Sequence, residues 1–122
     1  MAENYPFIEI DGTKIGRGYP PFLIAEMSAN HNGSLEGALK IIKSSKENGA
    51  NAVKLQTYKP ETITLDIRNK DFMLEEGLWK GMSLFELYNQ AYTPWEWHSE
   101  LFKYARNLDL TIFSSPFDHT AV

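Results

Sequence analysis

Phe22-Leu23-Ile24-Ala25-Glu26-Met27-Ser28-Ala29-Asn30-His31-Asn32-Gly33 begins with four apolar residues. It then breaks into Glu26, Ser28, Asn30, His31 and Asn32 before Gly33 closes it. A short apolar run bounded by turn residues reads as a buried strand. Polar residues gathered at the C-terminal end of such a strand stand where α/β barrels and doubly wound sheets keep their chemistry. The plainer alternative is a solvated strand-to-helix loop with an N-cap. Period-two alternation over 22–27 sets Phe22, Ile24, Glu26 and Ser28 on one side and Leu23, Ala25 and Met27 on the other.

Two later stretches repeat this form. Ser34 is a helix N-cap, and Leu35, Ala38, Leu39 and Ile42 then recur at helical spacing, which predicts a helix over 35–48. Asn48-Gly49 ends it with a glycine suited to a left-handed position. A second strand is expected at 51–57, where Val53 and Leu55 alternate with Lys54 and Gln56. The apolar pair suits the helix side of a parallel sheet, which aims Lys54 and Gln56 inward. A buried lysine is costly unless it is paired or meets an anion; the bland alternative is an exposed lysine on an edge strand. A third strand is expected at 110–114, followed by Ser115-Pro116-Phe117-Asp118.

Upstream, Asp11-Gly12 between alternating apolar residues predicts a small hairpin within 7–18, and Tyr19-Pro20-Pro21 is a stiff linker. Residues 1–21 are thus read as hairpin and linker, and 22–122 as the main α/β domain. Residues 58–80 are too long for an ordinary loop, and Phe72, Met73, Leu74, Leu78 and Trp79 argue against disorder. The segment either folds over a site or packs on its own domain. A short helix is expected from Ser83. Thr93-Pro94-Trp95-Glu96 reads as a capping box, with Thr93 as N-cap, ahead of a helix to about residue 108. His98 falls on the apolar stripe of that helix and is expected to pack, as are Trp95 and Trp97.

The bulk properties narrow the field. The 122 residues make one small globular domain, 43% hydrophobic and 13% aromatic, with a net charge of −4. Nothing suggests a nucleic-acid footprint or a polybasic membrane contact. The absence of cysteine excludes disulfides, thiolate metal sites and a cysteine nucleophile. No apolar run approaches the roughly 20 residues of a bilayer span, and the N-terminus lacks the form of a signal peptide. The expectation is a soluble cytoplasmic protein. The chain stops at Phe117-Asp118-His119-Thr120-Ala121-Val122 without a capping helix or polar tail, and we read it as a piece of a longer protein.

Strands alternating with helices imply a parallel sheet. Its strand ends bring Glu26 with Asn30 and His31, Lys54 with Gln56, and Ser115 with Asp118. A lysine beside hydroxyls suits a phosphate or carboxylate ligand. A carboxylate on the neighbouring strand suits orientation or proton transfer at a sugar hydroxyl or carbonyl. No GxGxxG, Walker loop, zinc spacing or nucleophile elbow is present. The residues themselves lead to an α/β enzyme with a polar, anionic ligand and no further.

Three motifs taken in order resemble the N-terminal part of the sialic acid synthase family: residues 22–34, residues 49–58 (Gly-Ala-Asn-Ala-Val-Lys-Leu-Gln-Thr-Tyr) and residues 113–118 (Phe-Ser-Ser-Pro-Phe-Asp). Residues 77–88 and 93–98, rich in tryptophan, look most like its pseudaminic acid synthase branch. The resemblance implies that this chain is the N-terminal portion of a (β/α)8 TIM-type barrel, preceded by the small β-hairpin, in an enzyme that works as a homodimer. It implies condensation of phosphoenolpyruvate with an open-chain 2,4-diacetamido-2,4,6-trideoxy-altrose to give pseudaminic acid and phosphate. N-acetylneuraminate or legionaminate synthesis is the alternative within the family. A non-catalytic carbohydrate- or anion-binding module is the alternative outside it, and an isomerase-type barrel with Glu26 as base lacks supporting motifs.

Position by position, the resemblance implies that Glu26 is the sugar-contacting acid/base and that Lys54 binds phosphoenolpyruvate. Ser115 supplies a hydroxyl near that same ligand, and Gln56 and Asn30 support binding. The sugar-contacting asparagine of the sialic acid branch has no clear match in residues 66–80. The family's divalent metal, Mn or Mg, is implied to be held by histidines beyond Val122. No residue of this chain is assigned to it, and His31 is expected to stand behind the residues that touch the ligands or to be structural.

Overall fold

The computed structural model describes residues 5–122, so the first four residues of the expected 1–21 segment lie outside the described residues. Strands β1 (Phe7–Ile10) and β2 (Thr13–Gly16) pair antiparallel as the expected hairpin, with Asp11 and Gly12 at positive φ in the turn. The Thr111 hydroxyl donates to Asp11 Oδ2 at 2.7 Å and ties the hairpin turn to the start of the last strand.

The main sheet is parallel, in the order β3 (Ile24–Glu26), β4 (Ala52–Thr57), β5 (Thr111–Pro116). This is the α/β arrangement expected for the first part of a barrel. β3 is shorter than the expected 22–27 because its flanks make single-ended contacts. The Leu23 carbonyl accepts from the Asn51 and Ala52 N–H groups, and the Met27 N–H donates to the Lys54 carbonyl. β5 runs two residues beyond the expected 110–114. A proline lacks a ladder donor but is tolerated at an edge strand, and Pro116 ends β5 opposite Thr57.

Helix α1 (Leu35–Glu47) starts where Ser34 Oγ accepts the Gly37 N–H, and it ends at Asn48 with Gly49 at φ +86°. Gly37 is needed for close approach, since a Cβ there would stand 2.9 Å from the His31 carbonyl oxygen. Helix α4 (His98–Asn107) packs beside α1. Together they cover the sheet face carrying Met27, Val53 and Leu55, and Ala38, Ile42, Leu101, Ala105 and Leu110 complete a fully buried core.

The segment after β4 packs on its own domain. A single turn, α2 (Pro60–Ile63), lies against α3 (Leu84–Ala91). Between them Met73 and Ser83 form an isolated antiparallel bridge. Ser83 and Glu86 make a complete capping box at the start of α3. The Ser83 N–H is the main influence holding the Glu86 carboxyl below its ordinary pKa, and Arg68 pairs with the same carboxylate.

The expected capping box at Thr93 does not form. The residues before α4 make a 3-10 turn, Trp95–Trp97, without a side-chain cap. Thr93 is 2% exposed and its hydroxyl is taken by His31. The hydroxyl is turned to the buried imidazole and away from the backbone N–H groups that a cap would serve.

Candidate functional site

Sheet parity decides which polar side chains meet. In the parallel register Glu26 lies opposite Lys54 and Lys54 opposite Phe113, while two residues on Gln56 lies opposite Ser115. Side chains two apart share a face. Glu26, Lys54, Gln56, Phe113 and Ser115 therefore stand on the face turned away from α1 and α4. The alternation of apolar Val53 and Leu55 with polar Lys54 and Gln56 holds as expected.

Lys54 Nζ lies 2.5 Å from Glu26 Oε2, and the two side chains are 31% and 37% exposed. A pair so open to solvent contributes about 0–1 kcal/mol. Stability alone therefore gives little reason for a lysine in the central strand. The arrangement offers one cation and one carboxylate side by side, with the Gln56 amide and the Ser115 hydroxyl, both half-buried, on the next tier toward the strand ends. It can hold an anionic group and place a proton acceptor beside it.

The loop after β3 is built from successive turns, with Asn30 N–H donating to the Met27 carbonyl, Asn32 to Ala29 and Ser34 to His31. Ser28 and Asn32 adopt positive φ. The Asn30 side chain also donates to the Met27 carbonyl, at 2.9 Å. Asn30 thus braces the loop directly after Glu26 and is not on the sheet face with Glu26, Lys54, Gln56 and Ser115.

His31 is 1% exposed. Its Nδ1 accepts the Gly33 N–H at 3.1 Å, which leaves the proton on Nε2, and Nε2–H donates to Thr93 Oγ1 at 3.1 Å. The Trp97 ring meets it edge-on at 5.4 Å. Burial lowers its pKa and favours the neutral ring. The structural role expected for His31 is what its contacts describe. Asp118 is likewise occupied locally, accepting from the Thr120 hydroxyl at 2.9 Å.

A second polar chain lies on the helix side. His98 Nδ1–H donates to the Trp95 carbonyl at 3.2 Å, so Nε2 accepts from the Thr57 hydroxyl at 2.6 Å. Thr57 Oγ1 in turn accepts from Ser114 at 2.6 Å. These residues border a cleft with Trp95, Phe102 and Arg106. Parity could have placed Thr57 and Ser114 on this side, but nothing in the spacing pairs Thr57 with His98, or His31 with Thr93. Phe113 was also missed, although its alternation with Ile112 and Ser114 puts it beside Lys54.

Among the described residues no group of three or more His, Asp or Glu side chains is placed to hold a metal ion. The described residues alone do not make a resident metal site. No helix of the described residues is long and apolar enough to cross a membrane.

The NeuB family profile matches residues 41–122. The chain is 54% identical over 96 residues to the pseudaminic acid synthase of Campylobacter jejuni, covering 79% of this chain and 28% of that protein. It is 50% identical over 103 residues to the pseudaminic acid synthase of Helicobacter pylori, covering 84% and 30%. The chain therefore spans under a third of the length of these curated relatives. A crystal structure of the N-acetylneuraminic acid (sialic acid) synthetase of Leptospira borgpetersenii, in complex with citrate, superposes with a TM-score of 0.75 at 27% identity. That match covers 96% of this chain and 36% of the other.

Proposed function

The chain belongs to the NeuB family, and from that premise we propose that it forms the first part of the active site of a pseudaminic acid synthase. The reaction joins phosphoenolpyruvate to an open-chain 2,4-diacetamido-2,4,6-trideoxy-altrose. The pairing of Glu26 with Lys54 on the uncovered sheet face, 2.5 Å apart, carries this reading. The branch rests on identity, 50–54% to pseudaminic acid synthases against 27% to the sialic acid synthetase of known structure.

In this reading Lys54 binds the anionic end of phosphoenolpyruvate, with Ser115 and Gln56 contributing a hydroxyl and an amide. An incoming carboxylate or phosphate takes over Lys54 and frees Glu26 for proton transfer at the sugar. The enol carbon attacks the aldehyde carbon and forms the new C–C bond, and the aldehyde oxygen gains a proton. Water adds to the cation left on the phosphate-bearing carbon and loses a proton; phosphate then departs by C–O cleavage as the new hydroxyl gives up its proton and becomes the keto oxygen. Glu26 is placed to move one of these protons. Asn30 keeps the loop after Glu26 in shape. The divalent metal of this reading, Mn or Mg, would take its ligands from outside residues 1–122 and would supply Lewis-acid polarisation of the aldehyde. The enzyme is proposed to be cytoplasmic and homodimeric.

The test is a chimera in which residues 1–122 replace the matching part of the Campylobacter jejuni enzyme. Phosphate release is followed with phosphoenolpyruvate, manganese and either the altrose derivative or N-acetylmannosamine. Release with the altrose sugar alone supports the proposal. Release with N-acetylmannosamine alone moves the assignment to sialic acid synthesis. Release with neither, from a folded chimera, overturns the enzyme reading.

A further inference from the structure

The row of side chains that carries Ser115 continues past the end of the sheet. The Phe117 N–H donates to the Thr57 carbonyl at 3.1 Å, so the ladder runs one residue beyond β5. Phe117 therefore keeps the parity of Phe113 and Ser115. By the same count Tyr58 extends the row of Lys54 and Gln56. At about 3.3 Å per residue, the Tyr58–Phe117 tier stands roughly 13 Å beyond Lys54 along the strands.

This tier is aromatic and braced. The Tyr58 ring is 4% exposed and meets Phe117 edge-on at 5.4 Å and Tyr88 of α3 edge-on at 5.8 Å. Phe117 remains 41% exposed, resting on Tyr58, which Tyr88 backs in turn. An aromatic ring held by a buried tyrosine, open on one side and above a charged tier, suits a ligand with an ionic end and an apolar end.

Resting on the proposed synthase reading, we propose that Phe117 is a specificity-determining residue, the platform for the apolar end of the sugar. Its ring packs against the C6 methyl and the methyl of the C4 acetamido group of the trideoxy sugar, and Tyr58, backed by Tyr88, positions it. Phosphoenolpyruvate sits on the lower tier and does not touch it. A sugar that carries a hydroxyl at C6 gains less from this contact, since a pocket tells substrates apart by about 10-fold or more for each apolar group it buries.

The test uses the same chimera, unaltered and with Phe117→Ala or Phe117→Tyr. The expected result for Phe117→Ala is a KM for the altrose sugar raised about 10-fold, an unchanged KM for phosphoenolpyruvate, and weaker discrimination against N-acetylmannosamine. Phe117→Tyr keeps the ring and stays near the unaltered values. An unchanged sugar KM in Phe117→Ala, or equal rises for both substrates, overturns the platform while leaving the synthase reading intact. A folded chimera without any turnover overturns the synthase reading, and the platform falls with it. Saturation-transfer NMR on the chimera, with phosphoenolpyruvate omitted so that no turnover occurs, gives a second measurement independent of the kinetics. Irradiated aromatic protons should label the sugar methyl groups in the unaltered chimera and not in Phe117→Ala. Absence of that label in the unaltered chimera counts against the platform.

Discussion

Glu26 and Lys54 face each other across adjacent parallel strands, with Lys54 Nζ 2.5 Å from Glu26 Oε2. Both side chains remain partly exposed, so the pair adds little to folding. Lys54→Met is therefore expected to change the unfolding free energy of the chain by less than about 1 kcal/mol. Loss of a charge-assisted contact to an anion costs about 1.5–3 kcal/mol, or roughly 10- to 100-fold. In the chimera, phosphoenolpyruvate KM should rise by that factor. Denaturant titration and steady-state kinetics read the two effects separately, and an unchanged KM removes Lys54 from the anion site.

Glu26→Gln keeps the size and hydrogen-bonding reach of the side chain and removes its ability to move a proton. Loss of a positioned acid or base typically costs about 10²–10⁴-fold in rate. The chimera carrying Glu26→Gln should lose kcat by a factor in that range, with its KM for phosphoenolpyruvate little altered. A kcat within about 10-fold of the parent would reduce Glu26 to a positioning residue.

Stability should fall on mild acidification because of His31. Its folded pKa is lowered by burial from the ordinary 6.5. Between the two values the unfolded chain binds a proton that the folded chain refuses, so acid draws the equilibrium toward unfolding. The contribution is complete above about pH 6.5 and is lost as pH falls from there through the folded pKa. Melting temperatures at pH 7.5 and 5.5 should differ, and His31→Gln should shrink the difference. Thr93→Val strands the buried Nε2–H and should cost about 1–3 kcal/mol at neutral pH. A neutral Thr93→Val would mean that His31 finds another acceptor.

The legible and illegible parts of this fold divide by the range of the interactions. Local periodicity suffices for α1, whose stripe, Ser34 cap and Gly49 terminator all lie within one segment. It suffices equally for β4, where Val53 and Leu55 alternate with Lys54 and Gln56. The three strand ends were recognisable because each breaks from apolar to polar. The meeting of Glu26 with Lys54 follows from parity plus register, and register is a long-range fact. Thr93 shows where local reading fails. Threonine followed three residues later by Glu96 has the form of a capping box, but His31, 62 positions away, claims its hydroxyl. The segment between β4 and α3 has no single period, since it is held by one short turn, an isolated bridge and the Arg68–Glu86 pair.

The sheet itself supports a last prediction about the 122-residue chain. Its order β3-β4-β5 pairs only the middle strand on both sides, so β3 and β5 each present an unpaired edge among the described residues. The face away from the helices leaves Ile24 49% and Phe113 36% exposed beside the Glu26–Lys54 pair. Unpaired edges next to an uncovered apolar face favour association between chains. The isolated chain should show a concentration-dependent mass in sedimentation velocity, and should release no phosphate from phosphoenolpyruvate and sugar. Phe113→Lys places a charge on the exposed face without touching the helix-side core, and should shift the chain toward monomer. A chain that stays monomeric at high concentration would mean that the edges are already protected. Phosphate release by the isolated chain would show that residues 1–122 carry the whole catalytic apparatus, against the proposal that the metal and further ligands come from outside them.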